Sequence, residues 1–409
     1  MTVPTVLVTD AERGSAVAII RSLGRRGWNV VAAASDRLVP GFYSGYASAT
    51  VRYPAPLVDP DGAIDALIDA AGRHAVDLLI PVTDEIILPL AVARDRLPPG
   101  CRVAMPDAAA LDAVVDKVAT LELARSLGVP VPDGVAVGSV DQALSEAGQL
   151  GWPIVVKPRR SYDWRPGRPP TRRSVTYARS EAELRTAVEA AAGTDVLLQR
   201  FHGGTGRAVS LLLHEGMPIA GFQHRRLREV PTTGGASSLR ESEAIDSELY
   251  QSALRLLTTL RWTGLAMVEF KSGLDGPLLM EINGRVWGAL PLAVASGMDF
   301  PARLGELYMV GPPPGGPPVD TNYVAGVRSR DLELERVWIR DVLRGRPPLT
   351  GTCPPRRAAV GAALRLLSPS DGYDILEWRD LRPGVVDIAR VILGPAWSGI
   401  SRLRNLGPG

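Results

Sequence analysis

Hydrophobic and polar residues alternate in short blocks along the N-terminal part of the chain. Thr5 to Val8, Val30 to Ala34 and Asp77 to Pro81 have the apolar character of buried strands. Ser15 to Arg26 and Asp61 to Arg73, which lie between them, have the spacing of amphipathic helices. Strands that alternate with helices in this way predict a small parallel α/β domain.

The turn after the first strand argues against dinucleotide binding. Residues 9–15 contain a single glycine, Gly14, where a dinucleotide fold needs three for a tight turn and close approach to a pyrophosphate. We therefore do not expect an NAD(P) enzyme.

The pattern changes after about Leu111, where α+β structure is predicted. A helical run from Leu111 to Leu127 contains Lys117, and an apolar strand from Trp152 to Pro158 ends in Lys157. Arg159 to Thr171 is rich in Arg and Pro and predicts a mobile loop. Further along, the expected elements are a strand at Val196 to Phe201, a hairpin at Val209 to Leu213 and Pro218 to Phe222, a polar loop at Pro231 to Ser238 and a helix at Ser247 to Leu260.

Two short apolar segments, Met267 to Lys271 and Leu278 to Arg285, flank a Gly-containing turn and predict a β-hairpin. Period-two alternation places Glu281, Asn283 and Arg285 on one face of its second strand.

The first strand of the hairpin contributes Glu269. Two carboxylates and an amide oxygen (Glu269, Glu281, Asn283) suit a hard cation such as Mg²⁺, which shares its oxygen ligands with phosphates. An arginine beside them, Arg285, can neutralise a phosphoryl group in transit. The alternative is a surface hairpin with scattered charges.

Three regions are predicted: residues 1–112 as an N-terminal α/β domain, 113–310 as a two-lobed α+β domain, and 311–409 as a linker followed by a small α/β region. Gly311 to Pro318 has the composition of a linker. Beyond it we expect a strand at Tyr323 to Val327 and helices near Leu332 to Leu343 and Val385 to Ile392, without candidate chemistry.

Composition excludes several classes of protein. The chain has 409 residues, 22% of them charged, and a net charge of only +2, which does not favour a nucleic-acid or acidic-membrane partner. Two cysteines support neither a disulfide framework nor a cysteine metal site, and the four histidines lack zinc spacing. No apolar run is long enough to cross a membrane, and the N-terminus lacks a signal-peptide pattern. A cytoplasmic protein is expected.

Lysine is scarce in this chain. Among 46 basic residues only Lys117, Lys157 and Lys271 are lysines. Arginine is a planar fork and lysine a compact point charge, so lysine is favoured where one ammonium must fit among phosphate oxygens. The alternative is that these three lysines occupy neutral positions.

Taken in chain order, these residues resemble the ATP-grasp ligases, the superfamily of biotin carboxylase and the carboxylate–amine ligases. The matching motifs are Asp116-Lys117, Val156-Lys157-Pro158, Leu198-Gln199-Arg200-Phe201, and Glu269 followed by Glu281-x-Asn283-x-Arg285. The resemblance covers roughly residues 1 to 305. The segment from 159 to 173 departs from the family's glycine-rich loop, since its only glycine is Gly167.

The resemblance implies that ATP lies between two lobes of the domain. Adenine would lie near Gln199 and Phe201, the phosphates near Lys117 and Lys157, and two Mg²⁺ ions, with Mn²⁺ as an alternative, at Glu269, Glu281 and Asn283. Arg285 would hold the acyl phosphate or the attacking carboxylate.

The segment Gln223 to Glu229 resembles the substrate-side strand of the same superfamily, which makes Arg226 and Arg228 candidate catalytic residues. A solvated edge strand rich in arginine is the alternative.

The function implied is an ATP-dependent ligase that joins a small-molecule carboxylate to an amine through an acyl phosphate. Alternatives are an enzyme that activates bicarbonate and a nucleotide-binding regulatory protein without turnover. A homodimer is an open possibility.

Overall fold

The computed structural model describes residues 3–191, 194–232, 235–274, 276–313, 315, 318–345, 354–366 and 371–394. These residues form sheets of five, four and seven strands and a separate two-stranded hairpin. No helix in this part of the chain is long and apolar enough to span a membrane.

A parallel five-stranded sheet forms the N-terminal part of the structure. Its strands are β1 (Thr5–Val8), β2 (Asn29–Ala34), β3 (Ala49–Arg52), β4 (Leu78–Ile80) and β5 (Arg102–Val103), in the order β3-β2-β1-β4-β5. Its helices are α1 (Gly14–Arg25), α2 (Pro60–Arg73) and α3 (Asp84–Val92), with 3₁₀ turns at Pro40–Tyr43 and Arg94–Arg96. Val6 and Val8 face one core and Leu7 the other, as expected for a strand covered on both faces. The predicted parallel α/β fold is confirmed.

A four-stranded antiparallel sheet follows. Its strands are β6 (Gly134–Val137), β7 (Ile154–Pro158), β10 (Thr176–Ala178) and β11 (Val196–Arg200), in the order β10-β7-β11-β6, and the hairpin β8 (Tyr162–Asp163) and β9 (Thr171–Arg172) lies outside it. The helices of this region are α4 (Ala108–Val115), α5 (Lys117–Ser126), α6 (Val140–Leu150) and α7 (Glu181–Ala190).

The single helix predicted from Leu111 to Leu127 is wrong. Asp116 has an extended backbone, with ψ at 106°, and divides the run into α4 and α5. Its carboxylate accepts hydrogen bonds from the backbone N–H groups of Val118 and Ala119. A short acidic side chain that bonds its own backbone favours a helix start over a helix interior. Lys117 is therefore the first residue of α5.

The largest sheet has seven strands. They are β12 (Thr205–His214), β13 (Met217–Val230), β14 (Ala236–Glu243), β15 (Gly264–Gly273), β16 (Gly276–Asn283), β17 (Arg328–Arg330) and β18 (Gly372–Tyr373), in the order β16-β15-β12-β13-β14-β17-β18. The helices α8 (Ser247–Thr259), α9 (Leu290–Ala295) and α10 (Phe300–Met309) accompany it. Both predicted hairpins are confirmed, although β12 and β13 are longer than expected. The predicted loop at Pro231 to Ser238 is shorter, because β14 begins at Ala236, and part of it lies outside the described residues.

The C-terminal region joins the largest sheet through β17 and β18 and adds the helices α11 (Leu332–Leu343), α12 (Arg356–Arg365) and α13 (Leu381–Leu393). The two predicted helices are confirmed, whereas the strand expected at Tyr323 to Val327 is wrong, since pairing with β14 begins at Arg328. Part of the predicted linker at Gly311 to Pro318 lies outside the described residues. The proposed domain boundaries stay a prediction.

The loop between β1 and α1 holds a buried acid, Asp10, and a half-buried one, Glu12. Asp10, in a left-handed conformation with φ at 56°, accepts hydrogen bonds from Thr83 and Tyr53. One carboxylate oxygen of Glu12 is buried without a partner among the described residues. Burial, followed by repulsion from Asp10, raises the pKa of Glu12 from 4.5 to about 7.

We expect the Glu12→Gln variant to be more stable than the wild type at pH 8, by about 2 kcal/mol. A raised folded-state pKa means that the fold holds a proton that the unfolded chain has released. The wild type therefore loses stability as the pH rises from 4.5 through 7, whereas glutamine has no proton to lose. Denaturant unfolding at pH 5 and pH 8 measures this, and equal gains at both pH values would contradict it.

Candidate functional site

A cleft with a volume of about 650 Å³ lies between the four-stranded and seven-stranded sheets, and the N-termini of α1 and α3 reach its edge. Residues from all parts of the chain line it, including the hairpin β15–β16, the ends of β7 and β11, and Asp331 and Asp374 from the C-terminal region.

The hairpin β15–β16 places two carboxylates side by side. Glu269 pairs directly with Glu281 in the antiparallel ladder, and Asn283 lies two residues further along β16. The amide of Asn283 donates to both glutamates, at 3.1 Å from Glu269 Oε1 and 3.4 Å from Glu281 Oε1. The predicted cluster of Glu269, Glu281 and Asn283 is therefore one compact group on the cleft wall.

The charges around the two glutamates are unequal. Burial raises the pKa of Glu269 above its ordinary value, although Arg226 forms an ion pair with it. Burial also opposes ionisation of Glu281, but Lys117 and Lys157 outweigh this effect and lower its pKa. Like-charged neighbours separate in pKa in this way, so Glu281 is the more acidic of the pair.

The two lysines reach the cleft from different elements. Lys117 Nζ donates to Ser161 Oγ at 2.7 Å, and Lys157 Nζ lies 3.4 Å from the carbonyl oxygen of Met280. Met280 lies in a β-bulge, because the pair Glu269–Glu281 is followed in the ladder by Phe270–Leu279 and Met280 has no partner in β15. The bulge leaves the Met280 carbonyl accessible to Lys157. Burial lowers the pKa of Lys157 to about 8.

Alternation along β7 and β11 builds the opposite wall. Lys157 pairs with Leu197, and Val155 pairs with Gln199. Val155 and Gln199 line the cleft, as does Phe201 just beyond β11. Gln199 is 1% exposed, and its side-chain NH₂ finds no acceptor among the described residues. The structure thus brings Gln199 and Phe201 into one cleft with both lysines, beside an unused hydrogen-bond donor.

The three arginines predicted to be catalytic have different positions. Arg226 lines the cleft and bonds Glu269, Glu229 and the carbonyl of Gly235. Arg285 also lines the cleft, and its Nε donates to Asp84 Oδ2 of α3 at 2.9 Å.

Arg228 does not lie in the cleft. It donates to Glu335 at 2.6 Å and stacks over Trp338, both in α11. A β-bulge around Arg228 shifts the register of β13 against β14, and the two arginines have different partners, since Arg226 pairs with Glu269 and Arg228 with Glu335. The structure therefore does not bring Arg228 into the cleft with Arg226, and a catalytic role for Arg228 stays a prediction.

Sequence reasoning missed residues on the far side of the cleft. Arg240 and Asp374 line it and form a buried ion pair that joins β14 to the C-terminal region. Trp287, directly after β16, lines the cleft with its indole N–H unpaired within the described residues. No sequence signal singles out Trp287, one of eight tryptophans in the chain, and arginine is too common here to single out Arg240.

The arginine-rich segment after β7 contains the β8–β9 hairpin rather than only irregular loop. Arg172 of β9 forms an ion pair of 3.0 Å with Glu85 of α3, and Tyr162 of β8 is buried. Burial, followed by repulsion from Glu85, raises the pKa of Tyr162 to about 12. An ion pair thus joins this hairpin to the N-terminal part at the mouth of the cleft.

The donor set of the hairpin fits a divalent cation. Glu269, Glu281 and Asn283 supply oxygen ligands from two strands, the number that Mg²⁺ takes from proteins when phosphates complete its shell. No group of three or more His, Cys, Asp or Glu side chains in the described residues is arranged to hold a metal without such help.

Comparison with protein families connects this cleft to a known fold. A family model described as "ATP-grasp in the biosynthetic pathway with Ter operon" matches residues 195–321. The chain is 26% identical to the carbamoyl phosphate synthase large chain of Xylella fastidiosa over 256 residues, which is 58% of this chain and 23% of that protein. It is 25% identical over 353 residues to a D-alanine–D-alanine ligase of Mycobacterium sp. (strain KMS), covering 74% of this chain and 80% of the ligase.

Solved structures have the same architecture. A Campylobacter jejuni biotin carboxylase in a β,γ-ATP complex matches with a TM-score of 0.63 at 17% identity, over 80% of this chain and 74% of that one. N5-carboxyaminoimidazole synthetase of Staphylococcus aureus with ADP matches with a TM-score of 0.58 at 12% identity, over 80% of both chains. The chain spans less than a quarter of the carbamoyl phosphate synthase large chains that it matches. The ATP-grasp resemblance predicted from sequence is confirmed.

Proposed function

We propose that this chain, which has an ATP-grasp fold, is an ATP-dependent ligase that joins a carboxylate to an amine and releases ADP and phosphate. The observation that carries the proposal is the convergence of Glu269, Glu281 and Asn283 with Lys117 and Lys157 in one cleft. Two acids that face two point-charge cations suit a nucleotide's phosphates together with their counter-ions.

Each part of the cleft has a role in this proposal. The apolar surface around Val155 and Phe201, with the unpaired NH₂ of Gln199, would hold adenine. Lys117 and Lys157 would bind phosphate oxygens as point charges. Glu269, Glu281 and Asn283 would hold Mg²⁺ or Mn²⁺, which when bound neutralises charge on the phosphates.

Arg226 and Arg285 line the same cleft as the two acids and would hold a carboxylate substrate at the end of the phosphate chain. In the proposed reaction a carboxylate oxygen attacks the γ-phosphorus, and the bond from that phosphorus to the β–γ bridging oxygen breaks. ADP leaves and an acyl phosphate forms. The amine then attacks the acyl carbon and loses a proton, and phosphate departs. Arg226 and Arg285 neutralise charge during the first transfer.

The remaining expectations stay predictions. Small-molecule carboxylate and amine substrates are part of the proposal, with amino acids as the favoured class. A homodimer and a cytoplasmic location are also proposals, and no nucleic-acid partner is expected.

The proposal is tested by incubating the protein with Mg²⁺, ATP and pairs of carboxylates and amines, with bicarbonate included. We expect ADP and a product whose mass equals the two substrates less water. An ¹⁸O label in the carboxylate should pass to phosphate, because the acyl phosphate loses that oxygen with the phosphoryl group. AMP and pyrophosphate as products would overturn the mechanism, and a carboxylated product from bicarbonate would favour the alternative activity.

We expect Glu281→Gln to lower turnover by about a hundredfold or more, because an amide cannot supply the negative charge that a bound cation needs. Glu248→Gln, an exposed position in α8 outside the cleft, is the matched control and should retain full activity. Steady-state ADP release measures both variants, with circular dichroism to verify folding. Near-normal turnover of a folded Glu281→Gln protein would remove Glu281 from the metal site.

Lys157→Arg should weaken ATP binding about tenfold, although the charge is retained, because a longer planar fork does not replace a buried ammonium. Calorimetric titration with a non-hydrolysable ATP analogue and Mg²⁺ measures the dissociation constant. An unchanged constant would contradict the role that we assign to the scarce lysines.

A further inference from the structure

The N-terminus of α1 is an open set of hydrogen-bond donors at the edge of the cleft. Arg13 is the N-cap residue, and no side chain among the described residues caps this twelve-residue helix. The first N–H groups of a helix lack partners within the helix and carry partial positive charge. Arg13, Gly14 and Ser15 all line the cleft, so these donors face space that a ligand can enter.

The topology of the N-terminal sheet places this helix end at a switch point. β1 lies in the middle of the order β3-β2-β1-β4-β5. From β1 the chain passes through α1 to β2 on one side, and from the neighbouring strand β4 it passes through α3 to β5 on the other side. Ligands of open parallel sheets bind in the crevice that forms outside the carboxyl ends of such strands. The crevice here opens onto the cleft.

Two buried side chains supply the independent observation that this crevice takes a ligand. Trp287 is 1% exposed and Arg240 is 3% exposed, and both line the cleft. Neither Trp287 Nε1 nor Arg240 Nε has an acceptor among the described residues. Buried donors normally have partners, because an unpaired one is unfavourable.

Arg240 lies close to the helix end. Its ion-pair partner is Asp374, and a Cβ added at Gly14 would lie 3.0 Å from the Cβ of Asp374. The donors of Arg240 and of the α1 N-terminus are therefore separated by a single side chain.

Three acids at this end of the cleft are neutralised by arginines. Asp84 is paired with Arg285, Glu85 with Arg172, and Asp374 with Arg240. The side chain of Arg13, by contrast, is exposed and has no hydrogen-bond or ion-pair partner among the described residues, whereas its backbone N–H donates to the carbonyl oxygen of Asp10. Glu12, next to Arg13, and Asp331, which lines the cleft, form no ion pair with a described residue. Burial raises the pKa of both and favours their neutral forms, so the charged side chain of Arg13 is left over in the crevice.

We propose that this crevice binds an anionic group, a carboxylate or a phosphate, on one of the small-molecule substrates. Arg13, the first amides of α1 and the indole N–H of Trp287 are the donors that hold it, with Arg240 Nε beside them. This inference rests on the proposed function for calling the ligand a substrate, but the anion site itself does not depend on ligase activity.

The test uses the indole N–H signal of Trp287 in the ¹⁵N-tryptophan-labelled full chain, which has eight tryptophans. The Trp287→Phe variant, which keeps an aromatic ring, identifies the signal by its loss. Inorganic phosphate and acetate are titrated separately, with a non-hydrolysable ATP analogue and Mg²⁺ present to fill the site at the lysines. We expect the Trp287 signal to move with at least one of the two anions, and the anion that moves it at the lower concentration identifies the group.

Arg13→Ala should raise the anion concentration needed for half of that shift about tenfold, since one charged donor is lost. Arg73→Ala, an exposed arginine of α2 outside the cleft, is the matched control and should leave the titration unchanged. A signal that neither anion moves, or an equal response in Arg13→Ala and the wild type, would overturn the proposal. If no ligase activity is found but the shift and its loss in Arg13→Ala are observed, the anion site stands and only the proposed function fails.

Discussion

Two carboxylates that lie side by side in a buried cleft dictate much of how this chain is assembled. The β15–β16 ladder pairs Glu269 with Glu281 directly. Two negative charges at this distance in a low-dielectric site repel strongly unless cations surround them. The fold supplies those cations from separate elements: Lys117 begins α5, Lys157 ends β7, and Arg226 comes from β13. The charges of the two acids are therefore compensated only when the four-stranded sheet, the seven-stranded sheet and α5 come together.

Ion pairs hold the walls of this cleft in place. Arg285 reaches Asp84 in the N-terminal part, and Arg172 of the β8–β9 hairpin reaches Glu85 in the same helix. Such partly exposed pairs contribute little stability individually. Their value here is geometric, because each fixes one wall against another. Arginine suits such pairs because its planar guanidinium bonds a carboxylate in a defined orientation. The three lysines of the chain, by contrast, all line the cleft.

The sequence was most informative where local pattern alone determines geometry. The hairpin and its paired acids could be located because alternation and spacing along two strands are sufficient to place them. The two lysines were singled out by the scarcity of lysine and by the resemblance to ATP-grasp ligases. Asp116 was misread because its effect is a backbone hydrogen bond that interrupts an otherwise helical pattern. Arg228 bonds Glu335 of α11 and does not line the cleft, and the β-bulge beside it leaves no reliable trace in the alternation of the sequence.

The parts of the cleft that could not be predicted are those made by long-range pairing. Arg240 meets Asp374 across 134 residues of chain, and β18 joins the sheet beside β17 in parallel. The local sequences around Arg240 and β18 do not indicate partners that are so far away in the chain. These contacts nevertheless place the C-terminal region in the wall of the cleft. There, Asp374 lies between Arg240 and the first residues of α1. The C-terminal region is therefore part of the cleft wall, because its residues Asp331 and Asp374 line the cleft next to the sheet edge that β17 and β18 form.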